Sequence, residues 1–163
     1  MTLFCLAASH HDVDLDTVAR LSAGSSDVLA AVPTGSAKGA VVLATCNRVE
    51  IYAEAADADV SGASEQIVSA LADSAGVEVD VARRALRTLG PQATARHLFE
   101  VGAGLDSAVV GEREIAGQVR RALLEAREAG TATGPLVRLF ESATRTAKDI
   151  GSCLLYTSDA ADE

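Results

Sequence analysis

Cys46 stands between two β-rich runs, residues 40–45 (AVVLAT) and 49–54 (VEIYAE), and only Asn47 and Arg48 accompany it in turning the chain. A thiol held at a loop tip and backed by a sheet is accessible and pre-oriented. Arg48, two residues on, lies on the same side if the backbone stays extended, and a nearby guanidinium favours thiolate over thiol. That is the chemistry of a nucleophile. The same spacing also admits a second reading, in which Cys46 is a small buried hydrophobe and Asn47 merely supplies turn geometry. Cys5, inside an apolar run, reads as structural. With Cys153 the cysteines number three, form no CxxC or zinc spacing, and set no disulfide framework.

The histidines are fewer than the roles open to them. His10 and His11 fall in a polar loop and read as solvated, whereas His97, in QATARHLFEV, is either a capped or surface residue of a helix or an acid–base group. Gly102 and Gly104 begin a G-x-G pattern, but the third position is Ser107 and helical rather than strand character precedes it, so the dinucleotide fingerprint fails. What remains is a polar loop, Asp106, Ser107, Gly111, Glu112 and Arg113, leading into a helix with the apolar stripe Ile115, Val119, Ala122, Leu123 and Ala126. It is either a capped helix start or a binding rim, since free N–H groups at a helix N-terminus can grip a polar ligand.

These residues need a scaffold, and the chain length bounds it. With 163 residues, a complete multi-domain enzyme is excluded. Apolar residues make up 48% and aromatics only 3%, so the core is built from Val, Leu, Ile and Ala. No apolar run reaches the roughly 18–20 residues of a membrane helix, and no basic region precedes the short apolar start, so a cytoplasmic protein is expected. The net charge of −9 supplies no global positive field for a phosphate backbone. Local basic clusters stand at Arg83, Arg84 and Arg87 and at Arg120, Arg121 and Arg127; they read as solvated helix faces or as phosphate contacts.

Residues 3–8 read as a first strand. Asp14 is a helix N-cap with Leu15, Val18 and Ala19 on one face, and residues 27–32 form a second short helix. The runs around Cys46 read as a hairpin, with Val49, Ile51 and Ala53 alternating against Glu50, Tyr52 and Glu54. Residues 64–75 are an amphipathic helix, Val77, Val79 and Val81 a further edge strand, and residues 92–101, 112–129 and 135–150 helices. Residues 130–134 (GTATG) form the one convincing linker. The expected fold is therefore α+β: a ferredoxin-like small antiparallel sheet with helices on one face, followed by a C-terminal helical extension. Helical periodicity stops at Ile150-Gly151-Ser152, and the closing string CLLYTSDAADE resembles translated sequencing adapter, so residues 153–163 are expected to be a non-native tail. Asp159, Asp162 and Glu163 of that tail carry three of the net negative charges.

Taken together, TCNRVEIYAE at 45–54, HLFEVGAGLDSAVVGEREIAGQVRRA at 97–122 and the opening LAASHHDVDLDTVARLS resemble the glutamyl-tRNA reductase family. The resemblance runs from about residue 3 to 150 and implies an oxidoreductase of tetrapyrrole biosynthesis. In that family a cysteine thiolate attacks the ester of glutamyl-tRNA, and NADPH reduces the resulting thioester to glutamate-1-semialdehyde. It implies that Cys46 is the nucleophile and His97 the histidine near it. Thr45, Asn47, Arg48, Ser107, Glu112, Arg113, Glu114 and Gln118 are implied to contact substrate. The family often has Pro-Gln where this chain has Arg113-Glu114, and a Lys-Thr-Ala-Pro stretch where it has His11-Asp12-Val13-Asp14. The resemblance further implies that residues 1–152 are the catalytic domain, with residues 135–150 the start of a long linking helix. The NADPH and dimerisation domains of a homodimeric enzyme would follow, absent from this chain. The rival expectation is a non-catalytic ferredoxin-like binding module, with a thiol hydrolase using Cys46 and His97 as a third.

Overall fold

The computed structural model describes residues 1–107 and 114–159, with side chains as far as Gly151. Its centre is a four-stranded antiparallel sheet in the order β2-β3-β1-β4, where β1 is Thr2–Ser9, β2 Ala37–Ala44, β3 Arg48–Ala55 and β4 Arg87–Leu89. Helices α1 (Leu15–Gly24) and α2 (Val28–Ala31) connect β1 to β2. Helices α3 (Val60–Ala75) and α4 (Val79–Ala85) connect β3 to β4, so two split βαβ units give the expected ferredoxin-like α+β arrangement. Three further helices follow, α5 (Pro91–Gly102), α6 (Glu114–Glu128) and α7 (Gly134–Asp159).

Strand alternation decides which helices cover which face. Phe4, Leu6 and Ala8 of β1 join Val49, Ile51, Ala53 and Ala55 of β3 in one core with Leu21, Ile67, Val68 and Leu71 from α1 and α3. Cys5 and Ala7, with Val41, Leu43 and Tyr52, form a second core with Leu98, Val119, Leu123, Leu136 and Phe140 from α5, α6 and α7. The C-terminal helices are thus not an appendage beyond a one-faced domain: they cover the sheet's other face. For that reason Glu50, Tyr52 and Glu54, expected opposite an apolar face, are buried too, and every residue of β3 is buried.

Local chemistry fixes the element ends. The Asp14 carboxylate accepts from the Thr17 backbone N–H at 2.9 Å and from its hydroxyl at 2.8 Å, capping α1 as expected. Leu15 and Ala19 do not form its apolar face: both are exposed, and Val18, Leu21 and Gly24 are buried instead. Gly76 ends α3 with φ 61°, the left-handed conformation that closes a helix. The edge strand expected at Val77, Val79 and Val81 is corrected. Glu78 has extended backbone and starts α4, Arg83 and Arg84 stand in its last turn, and burial of Ala82 and Ala85 overrides the valine alternation. The edge strand is instead the three-residue β4.

Two expectations about the second half also change. Residues 130–134 are no loose linker: Thr131 is buried, its carbonyl accepts from the Ala40 N–H at 3.0 Å, and its hydroxyl donates to the Ala40 carbonyl at 2.8 Å, on the outer edge of β2. The backbone of α7 stays helical past Ile150-Gly151-Ser152, where the apolar pattern breaks, and Ile150 itself is exposed. No helix among the described residues is long and apolar enough to cross a membrane.

Candidate active site

The β2–β3 hairpin closes with the Thr45 N–H donating to the Arg48 carbonyl at 2.9 Å, which leaves Cys46 and Asn47 at the tip. Two-residue hairpin turns favour left-handed residues, yet no described residue other than glycine has positive φ. Neighbours brace the turn instead. The Asn47 N–H donates to the Thr45 hydroxyl at 3.2 Å, Ser22 of α1 donates its hydroxyl to the Thr45 carbonyl at 3.0 Å, and the His10 N–H donates to the Asn47 carbonyl at 2.9 Å. His10 is therefore half-buried against the loop rather than solvated, while His11 is exposed. Cys46 is exposed and Cys5 fully buried. Burial foremost, with the charge of Glu50, pushes the Cys5 thiol well above its ordinary range.

The hairpin tip forms one wall of a small solvent-open cleft of about 100 Å³. Thr45, Cys46, Asn47 and Arg48 face Ser107 and, from the first turns of α6, Glu114, Ile115 and Gln118. Seven of the ten residues expected at the site thus come together. Glu112 and Arg113 lie outside the described residues. His97 does not line the cleft.

His97 lies behind it, in a buried polar network. Arg48, Glu50 and Tyr52 occupy alternate positions of β3 and so share one face. Arg48 Nη1 donates to Glu50 Oε1 and to Asp106 Oδ2, each at 2.9 Å, and its Nη2 donates to the Asp106 carbonyl. His97 Nε2 lies 2.8 Å from Glu50 Oε1, and since a carboxylate only accepts, the hydrogen sits on Nε2. The Tyr52 hydroxyl donates to Glu50 Oε2 at 2.6 Å. Burial alone would raise the Glu50 pKa, but the hydrogen bond from His97, the charge of Arg48 and the Tyr52 hydroxyl outweigh it and hold the carboxyl below its ordinary value. Burial likewise works against the Arg48 charge; Glu50 and Asp106 prevail and raise its pKa. Glu50, His97 and Asp106 bring their ligand atoms within 4.8 Å of one another, and the positive charge among them is the guanidinium of Arg48.

The helix context of His97 pointed to a surface residue; a carboxylate from a strand 47 positions earlier draws it inside. Sequence reasoning missed Glu50 and Tyr52, and read Ile115 only as part of an apolar stripe; Asp106, read as part of a polar rim, instead holds the Arg48 guanidinium. The signal for the first two was present, because R-x-E-x-Y in a strand stacks three polar side chains on one face. The basic clusters are partly neutralised at home: Arg83 pairs with Glu65 and Asp80, Arg87 with Asp12 at 3.8 Å, and Arg127 with Glu141.

Comparison with known proteins gives one consistent outcome. Residues 6–153 match the family model "Glutamyl-tRNAGlu reductase, N-terminal domain". The glutamyl-tRNA reductase of Micrococcus luteus is 70% identical over 152 residues, covering 93% of this chain and 34% of that protein. That of Hyperthermus butylicus is 39% identical over 150 residues, covering 92% and 33%. Among solved structures, the glutamyl-tRNA reductase from Methanopyrus kandleri superposes with a TM-score of 0.72 at 26% identity, over 91% of this chain and 34% of that one. The chain spans about a third of the length of the curated relatives it matches.

Proposed function

Because the chain belongs to the family of glutamyl-tRNA reductase N-terminal domains, we propose that its cleft is the site where Cys46 takes a glutamyl group from glutamyl-tRNA. The observation that carries this reading is the exposed thiol on a braced hairpin tip, facing a second wall of polar side chains. The Cys46 sulfur, having given up its proton, attacks the ester carbonyl carbon and a C–S bond forms. As the tetrahedral adduct collapses, the C–O bond to the ribose breaks and the ribose oxygen takes a proton, leaving an enzyme thioester and free tRNA.

The surrounding groups suit that substrate. Arg48 reaches the cleft with its guanidinium fixed from behind by Glu50 and Asp106. Three of its five N–H groups are spent on those carboxyl and carbonyl oxygens, and the positive charge held there at the cleft suits a substrate carboxylate. The Glu114 carboxylate offers a counter-charge to the glutamyl ammonium, and Thr45, Asn47, Ser107 and Gln118 offer hydroxyl and amide groups for its polar atoms. In this reading His97 acts through Glu50 and Arg48 rather than by touching the thiol.

The residues described do not fit the NADPH that the family implies. Gly102 is the last residue of α5 and Gly104, with φ 75°, follows in the turn, so this G-x-G closes a helix instead of joining a strand to a helix N-terminus. No hydride step is assigned to these residues, and reduction of the thioester is proposed of the longer enzyme. Incubating this chain with glutamyl-tRNA, followed by peptide mass spectrometry, is expected to place a glutamyl adduct on Cys46, without NADPH oxidation. An adduct on another residue, or none, would overturn the assignment of Cys46; NADPH oxidation by this chain would overturn the assignment of reduction elsewhere.

A further inference from the structure

The buried network contains one group that the thioester chemistry leaves unexplained. Tyr52 is fully buried and does not line the cleft, and its hydroxyl donates to Oε2 of Glu50, the oxygen that Arg48 and His97 leave free. Its ring meets Phe140 of α7 edge-on, with centroids 5.1 Å apart and planes at 87°. A tyrosine needed only for packing has no use for that hydroxyl in an apolar core, where an unpaired one is costly.

We propose that Tyr52 is a positioning residue for the Cys46 site, and that it acts by locking the carboxylate plane of Glu50. This rests on the Cys46 reading above. The terminal torsion of a glutamate side chain is broad, so a carboxylate bound through one oxygen can swing about it. Oε1 carries two obligations at once, to Arg48 Nη1 and to His97 Nε2, and both are met only in one orientation of the carboxylate. The Tyr52 hydroxyl on Oε2 is the third anchor, and three anchors define the plane. The ring that carries it packs edge-on against Phe140, and through Tyr52, Glu50 and Arg48 three contacts run from the hydroxyl to the wall beside Cys46. Asp106 holds the other side of the guanidinium. Losing the hydroxyl would therefore loosen Arg48 and release the His97 ring without opening a cavity.

The test is Tyr52→Phe in this chain, which keeps the ring and its contact with Phe140. Two quantities are read: the rate of thioester formation on Cys46 with glutamyl-tRNA, and the nitrogen chemical shifts of the His97 ring, which report the nitrogen that carries the proton. The expected result is a rate lower on the order of tenfold, together with a change from one Nε2–H form to a mixture of the two tautomers. Phe140→Leu, which keeps the hydroxyl, should leave the single tautomer in place. A Tyr52→Phe protein with the parent rate, or with a slowed rate but the parent tautomer, would overturn the proposal. Should the parent chain form no adduct on Cys46, the Cys46 reading fails by itself. The histidine spectrum still decides whether the hydroxyl orients the network.

Discussion

Glu50→Gln measures what the buried carboxylate does for the fold. Three donors converge on its two oxygens: Arg48 Nη1 and His97 Nε2 on Oε1, and the Tyr52 hydroxyl on Oε2. A glutamine amide can keep its oxygen at the first position and present its NH2 to Tyr52, whose hydroxyl can turn round to accept. Shape and hydrogen-bond count then survive, and what is lost is the charge. Two bonds fall from charge-assisted, about 1.5–3 kcal/mol each, to neutral, about 0.5–1.5 kcal/mol each, a loss of about 2–3 kcal/mol in all. Removing one partner of a buried pair outright costs about 3–5 kcal/mol, and the remaining Asp106 contact keeps this variant below that limit. At about 2–4 °C per kcal/mol for a chain of this size, Tm should fall by about 4–12 °C. The pH dependence has a definite sign. The Glu50 pKa is lowered on folding, so its contribution is complete above the ordinary glutamate value of 4.5 and is lost as pH falls through the lower folded value. Urea unfolding at neutral pH should separate parent from variant, and the gap should close in acid, below pH 4.5. Equal stability at neutral pH, or a gap that persists unchanged in acid, would refute the account.

Two further expectations follow from burial and close contact. Iodoacetamide at neutral pH should label Cys46 faster than Cys5 on the order of a hundredfold, by peptide mapping, because one thiol is exposed and the other buried with its ionisation suppressed; comparable rates would contradict the hairpin geometry. Gly39→Ala should cost about 1–3 kcal/mol in urea unfolding, since the added Cβ would come within 2.4 Å of the Thr131 carbonyl oxygen and 2.5 Å of a Thr133 methyl carbon; a neutral result would mean that the loop after α6 does not press on β2.

Much of the fold was legible because local signals agreed with it. The hairpin around Cys46, the Asp14 cap and the stripe Ile115, Val119, Ala122, Leu123 and Ala126 are each set by residues close in sequence. The failures share a cause in long-range contact. Val77, Val79 and Val81 alternate like a strand, but packing of Ala82 and Ala85 and the charges at the ends of α4 decide for helix. The cleft was legible through Thr45 to Arg48 because their neighbours in sequence are their neighbours in space. His97 and Asp106 join Glu50 and Arg48 only because α5 folds across the second face of the sheet, and nothing within a helix-length window announces a buried ion cluster formed that way.

The two hydrogen bonds between Thr131 and Ala40 bear on how this chain avoids self-association. Strand β2 is an outer strand, and an outer strand offers unpaired N–H and C=O groups to any other extended chain. Here the chain satisfies part of that row itself, with a single threonine whose backbone carbonyl and side-chain hydroxyl take the places a neighbouring strand would take. The register irregularity between Ala37 and Gly39 and the exposed Lys38 spoil the adjoining stretch. The segment between α6 and α7 is thus an edge guard, intolerant of insertion despite its glycines. Loosening it would turn β2 into a template for strand addition by a second copy.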